Sequence, residues 1–73
     1  MNYCYFILVS IKNDQAVLSK PYPQNVSISQ LCDKARDMSL DSMCETTIYK
    51  CFIMNPTSTK ALYRFNKGLL VRL

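Results

Sequence analysis

The chain has 73 residues, of which 49% are hydrophobic and 19% are charged, and its net charge is +4. This composition excludes a disordered tail, because disordered segments combine low hydrophobicity with high net charge. The length predicts one small domain over residues 1–73, with a core so limited that every strand must contribute to it.

The first predicted element is a strand from Tyr3 to Ile11, where eight of nine residues are apolar or aromatic. Such residues fit a pleated sheet. Both faces of this strand are apolar, whereas a strand with one solvent-exposed face alternates between apolar and polar residues. We therefore expect the strand to be central, with a neighbour on either side.

The same segment bears on location in the cell. Met1–Asn2 carries no positive side chain, and the apolar run ends without a small-residue cleavage site, so the pattern of a secretory signal is missing. The run is also shorter than the about 20 residues of a membrane helix. The sequence predicts a cytoplasmic protein.

A second strand is predicted at Ala16–Lys20, after a polar turn at Lys12–Gln15. Asn and Asp favour turns, so the first two strands are expected to form a hairpin. Pro21 and Pro23 are expected to end the second strand, because neither can donate a hydrogen bond to a sheet.

A helix is predicted from about Ile28 to Met38. Ser27 and Gln30 have the spacing of a capping box, and apolar residues then recur at helical spacing to form one stripe. Residues 39–42 are expected either to add a turn or to end the helix.

Three more strands are predicted, at Thr46–Met54, Ala61–Phe65 and Leu69–Leu73. A loop at 55–59 separates the first two, and a three-residue hairpin loop at Asn66–Gly68 joins the last two, with Gly where a positive φ is favoured.

The order ββαβββ predicts an α+β fold, in which a single helix packs on a four- to five-stranded, mostly antiparallel sheet. This order is similar to the ubiquitin-like β-grasp, in which a hairpin, a helix and a return to the first strand enclose a small core. The resemblance implies an interaction module. It does not imply conjugation, because the sequence reads Val71-Arg72-Leu73 where that family has a diglycine tail. A plain antiparallel sheet crossed by one helix is the alternative.

Catalytic and metal-binding patterns are missing from the sequence. It has no His, one Gly and four Cys, none of them in a C-x-x-C pair. Acid–base catalysis most often uses His, phosphate loops need several Gly, and zinc ligands usually come in close pairs. We expect a non-enzymatic protein without cofactor or metal, whose cysteines are free thiols rather than disulfides.

The basic charge is concentrated in residues 46–73, which contain five Lys or Arg and no acid. Strand alternation puts Lys60, Leu62 and Arg64 on one side of their strand, and we expect this side to be the open face of the sheet. Apolar residues ringed by basic ones there predict a binding surface. The predicted partner-binding residues are Ile48, Lys50, Phe52, Leu62, Arg64, Lys67, Leu70 and Arg72.

A small domain with such a face and no chemistry predicts a protein-binding regulator. In size and in its lack of motifs, the chain resembles the small inhibitors of host RNA polymerase that bacteriophages encode. That resemblance implies a viral protein that regulates bacterial transcription from the host cytoplasm. The alternatives are a basic nucleic-acid-binding protein, a ubiquitin-like interaction module, or an inhibitor of the anti-CRISPR or antitoxin type.

Overall fold

The computed structural model describes residues 3–54 and 58–73. Residues 1–2 of the N-terminal segment and residues 55–57 of the predicted loop lie outside this part. The secondary-structure elements are β1 (Cys4–Lys12), β2 (Gln15–Leu18), β3 (Tyr22–Pro23), α1 (Ile28–Asp41), β4 (Glu45–Phe52), β5 (Lys60–Asn66) and β6 (Leu69–Val71). One helix packs on one sheet, so the predicted α+β class is confirmed.

The sheet has the order β2-β1-β4-β5-β6, and β3 pairs with β1 beside β2. Every pairing in the described part of the chain is antiparallel, so the arrangement is a plain antiparallel sheet crossed by one helix. β1 lies between β4 on one side and β2 with β3 on the other. β1 therefore has a neighbour on either side, as its two apolar faces predicted.

The edge of β1 next to β2 is completed by Ser19 and by a strand that the sequence did not predict. The Ser19 N–H donates to the Leu8 carbonyl at 2.9 Å, and the Leu8 N–H donates to Ser19 Oγ at 2.9 Å. Tyr22 and Pro23 then pair with Phe6 and Tyr5 as β3. Pro23 is tolerated because it lies on an edge strand, where no donor is required of it.

The helix begins where the capping box predicted. Ser27 Oγ accepts a hydrogen bond from the Gln30 N–H at 3.4 Å. The helix continues one turn beyond Met38 and ends in a Schellman motif, in which the Cys44 N–H donates to the Ser39 carbonyl at 3.0 Å. Met43 occupies the left-handed position, with a φ of 50°, which usually holds Gly.

The hairpin between β5 and β6 is tighter than predicted and is fixed to the helix end. Asn66 pairs with Leu69, so the loop has two residues, Lys67 and Gly68, both with positive φ. Ser39 Oγ accepts the Gly68 N–H at 2.9 Å. A Cβ atom at Gly68 would lie 3.2 Å from the Leu40 side chain, which leaves little room for any other residue.

The core lies between α1 and one face of the sheet. Its buried apolar residues are Phe6, Leu8, Leu31, Ala35, Ile48 and Phe65. Two buried polar residues on the same face, Ser10 and Thr46, satisfy each other through hydroxyl groups 3.0 Å apart. We call this side of the sheet the helix face, and the side without a helix the open face.

Candidate functional site

The eight residues predicted to bind a partner do not share one exposed surface. Ile48 lies directly opposite Leu8 in the sheet and is fully buried, with an exposed fraction of 0%. It packs under α1 in the core. The prediction that Ile48 lies on the open face is therefore wrong, because the helix covers the side of β4 that carries it.

Lys50 and Phe52 lie on the same side of β4 as Ile48, as alternation along a strand requires. Lys50 is opposite Phe6, so this side is the helix face and not the predicted open face. Both side chains are half-buried, and the ammonium group of Lys50 lies 5.4 Å from the centre of the Phe52 ring.

A β-bulge in β5 separates Leu62 from Arg64. Ile48 pairs with Tyr63, but the next residue, Tyr49, pairs with Ala61, so Leu62 is an extra residue on the bulged strand. Leu62 packs against the core on the helix face. Arg64 lies opposite Thr47, outside that core, on the open face. The predicted side-by-side placement of Leu62 and Arg64 is therefore wrong.

Arg64 is engaged within its own sheet. Its Nε atom donates to Thr47 Oγ1 at 3.1 Å and lies 3.5 Å from Glu45 Oε1. Thr47 is consequently buried, although it lies on the open face. Arg64 therefore covers part of the sheet. A partner could bind the Arg64 side chain only by keeping or replacing its contacts with Thr47 and Glu45.

Leu70 also lies on the helix face, because it pairs with the buried Phe65. Alternation sends the side chain of Arg72 toward the same side. Lys67 lies apart from both, in the hairpin turn, where its N–H donates to the Cys44 carbonyl at 3.2 Å. Of the predicted residues, the structure brings together Leu62, Leu70 and Arg72.

These three residues line a groove of about 350 Å³ beside β6. We call it the β6 groove, and its lining residues are Leu62, Tyr63, Leu70, Val71, Arg72 and Leu73. Its apolar residues project into solvent: Leu70 is 64% exposed and Leu73 is 57% exposed. Arg72 supplies the single positive charge of the lining.

The backbone of β6 adds to the groove, because β6 is the last strand in the order of the described sheet. Asn66 and Leu69 flank a two-residue turn and form a hydrogen-bonded pair. Leu70 then falls at the next, non-hydrogen-bonded position, where the N–H and C=O point to the free edge. The Leu70 side chain thus lines the groove, and its backbone N–H and C=O can pair with an added strand.

Among the described residues, the basic strand residues of the helix face form no salt bridge. In the described part of the chain, the salt bridges are Arg36–Asp33 and Arg64–Glu45. Lys50 and Lys60 lie directly opposite each other, an arrangement that costs free energy unless an anion is near.

Sequence reasoning missed Tyr63, Val71 and Leu73 as groove residues. Alternation assigned all three to the side opposite Arg64 or Arg72, and Tyr63 was expected to face the core with Phe65. Tyr63 does lie on the side of Phe65, opposite Ile48, but it is 41% exposed and lines the groove. Val71 lies on the side of Arg64, with which it pairs, because the two-residue turn sets a register that the predicted three-residue loop does not. No sequence signal marks the bulge at Leu62, since Leu62 is neither Gly nor Pro.

The four cysteines are free thiols in the structure. Burial raises the pKa of Cys32, and the carboxylate of Asp33 raises it further. Burial also raises the pKa of Cys51, partly offset by a hydrogen bond with Tyr5. A raised pKa lowers the thiolate fraction, so neither thiol has the environment of an activated nucleophile.

The described residues show neither a metal-binding cluster nor a membrane-spanning helix. They contain no group of three or more His, Cys, Asp or Glu side chains placed to hold a metal ion. Their one helix is too short and too polar to cross a membrane.

Comparisons with known proteins give no relative for this chain: no family model, no curated protein and no solved structure matches it. Any function must therefore be argued from its own surfaces.

Proposed function

We propose that this protein is a non-catalytic binding domain that receives an extended segment of a partner protein in the β6 groove. One observation carries the proposal: exposed Leu70 and Leu73 line a groove that runs beside a strand with a free edge. Exposed apolar residues grouped around a cleft are typical of protein-binding sites.

The mode of binding follows from the position of Leu70. A partner strand hydrogen-bonds to the outward N–H and C=O of Leu70, which extends the sheet by one strand. Alternate side chains of that strand enter the groove, where Leu62 and Tyr63 form the wall. Arg72 favours an acidic residue in the partner, and the excess of basic residues in 46–73 steers an acidic partner toward this end of the molecule.

Bacterial RNA polymerase is the first partner to test, because the chain resembles the small phage proteins that inhibit this enzyme. In this proposal the protein regulates transcription in the host cytoplasm by occupying a polymerase surface. An anti-CRISPR or antitoxin role would use the same groove with another target.

Nucleic-acid binding is the second candidate, and one observation favours it. Lys50 and Lys60 face each other across β4 and β5, and the exposed ring of Tyr63 lies on the same pair of strands. Two opposed ammonium groups are stabilised by a phosphate, and an exposed aromatic ring can stack on a base.

A pair of matched variants distinguishes these functions. Leu70→Asp places a charge in the groove, whereas Val17→Asp makes the same change at a residue of similar exposure, 58%, on the opposite edge of the sheet. Binding to purified bacterial RNA polymerase should weaken at least about tenfold with Leu70→Asp and stay unchanged with Val17→Asp.

Other results would contradict the proposal. Polymerase binding that ignores Leu70→Asp would exclude the β6 groove as the binding site. Steeply salt-dependent binding to mixed-sequence DNA or RNA, reduced by Lys50→Ala and Lys60→Ala, would favour the second candidate. Failure to bind polymerase would remove this enzyme as the partner.

A further inference from the structure

The open face of the sheet is apolar although no described element packs on it. The only described helix lies on the other side, against β1, β4 and β5. Register places two rows of side chains across the open face, one containing Leu18, Val9 and Thr47 and the next containing Ile7 and Tyr49. An antiparallel sheet with one solvated face normally carries polar residues there.

The apolar side chains of this face are well exposed at its β2 corner. Leu18 is 60% exposed and Ile11 is 43% exposed. Toward the centre, Ile7, Val9 and Tyr49 are half-buried, covered only by neighbouring side chains of the same sheet. Exposure of such an apolar cluster to water is unfavourable, and burial against another apolar surface would lower the free energy.

The open face is electrically neutral, in contrast to the chain as a whole, which has a net charge of +4. Its charged strand residues are Glu45 and Arg64, which lie 3.5 Å apart and neutralise each other. The basic strand residues Lys50 and Lys60 are on the helix face, as their register with Phe6 requires.

We infer that the open face is the interface of a symmetric homodimer, in which two sheets pack face to face at about 10 Å. A two-fold axis brings the same patch against itself, so the patch must not repel its own copy. A neutral, apolar face meets this condition, whereas the basic helix face does not. A charged partner protein would find on this face only the two charges of Glu45 and Arg64, which already neutralise each other.

The size of the face suits such a dimer. At about 3.3 Å per residue and 4.8 Å between strands, the strand residues of the sheet cover about 500 Å² in plan. Side chains that rise above this plane, such as the exposed Leu18 and Ile11, enlarge the accessible area toward the value of about 800 Å² per partner that stable interfaces bury. The dimer leaves Leu62 and Leu70 accessible, since both lie on the helix face.

Sedimentation equilibrium between about 1 and 200 µM tests the inference. The average mass of the wild type should rise with concentration to twice the monomer mass of 8.4 kDa. Ile7→Lys, at the centre of the face, should weaken association at least about tenfold. Leu70→Lys makes the same change on the helix face and should leave association unchanged.

A charge exchange gives a second test that does not depend on how well Ile7→Lys folds. Arg64→Glu or Glu45→Arg alone gives each copy a like-charged pair, so each should weaken the dimer at least about tenfold. The double variant Glu45→Arg with Arg64→Glu restores a neutral pair and should restore association. Circular dichroism at the lowest concentration checks that each variant is folded.

A wild type that stays monomeric over this range would overturn the inference. Association that survives both Ile7→Lys and Arg64→Glu but is lost with Leu70→Lys would also overturn it, because the dimer would then form through the edge of β6.

Discussion

Both faces of the sheet are largely apolar along β1, yet they have different environments. Leu8 on the helix face is completely buried under α1, whereas its neighbour Ile7 on the open face is only half-buried. An apolar strand face therefore predicts burial but does not identify what buries it. On one side the chain supplies its own cover, and on the other we propose that a second copy does.

The same two faces divide the charge. The basic residues Lys50 and Lys60 lie on the helix face, beyond the core, while the open face holds the neutral pair Glu45–Arg64. The predicted surface with leucines and arginines side by side is therefore split. One part, with Leu70 and Arg72, lines the β6 groove, and the other part covers Thr47 on the open face.

Substitution of adjacent residues in β1 should show the largest difference between the faces. Leu8→Ala should lower the free energy of unfolding by about 2–5 kcal/mol, because it leaves a cavity in the core. Ile7→Ala should cost less than half as much at a protein concentration low enough to keep the chain monomeric. Urea unfolding of both variants measures this, and equal costs would mean that the open face is already packed within one chain.

The link between the helix end and the sheet should be next in size. Ser39→Ala removes the acceptor of the Gly68 N–H and leaves that group without its partner, at a cost of about 1–3 kcal/mol. Ser29→Ala, at an exposed position of the same helix, is the matched control. A loss in the control as large as that in Ser39→Ala would trace the effect to the helix itself.

Much of the fold was predictable because local signals agreed with the final packing. The capping box at Ser27 fixed the helix start, and the two apolar faces of β1 fixed its central position. The site was less predictable, since strand alternation was carried through Leu62, where a bulge shifts it by one residue. The prediction that Lys50 marks the open face was wrong for a different reason. The strand β4 extends beyond the core, so the same side of it is buried at Ile48 and only half-buried at Lys50.

The N-terminal cap of the helix should make a smaller contribution to the free energy of unfolding. Ser27→Ala removes the side-chain acceptor of the Gln30 N–H and should cost about 0.5–2 kcal/mol. Ser27→Asp keeps an acceptor at this position and should retain most of the stability. Urea melts in which Ser27→Ala equals the wild type would show that this cap contributes nothing to the helix.

The smallest expected effect on the free energy of unfolding comes from the thiols of Cys32, on the helix, and Cys51, on the open face of the sheet. Burial raises the pKa of both, so the folded chain holds these protons more tightly than the unfolded chain. This stabilisation is complete below the ordinary pKa of 9.0 and is lost as the pH rises through the raised values. The free energy of unfolding should be lower at high pH than at pH 7, and this decrease should be smaller in Cys51→Ala than in the wild type. An equal decrease in the two proteins would contradict the prediction.

Methyl NMR spectra recorded over a dilution series test the difference between the faces most directly. If the open face is covered by a second copy, the resonances of Ile7 and Val9 should shift as the protein is diluted. Those of Leu8 and Ile48, sealed under the helix, should stay fixed. Concentration-independent spectra, or shifts confined to Leu70 beside β6, would contradict the account.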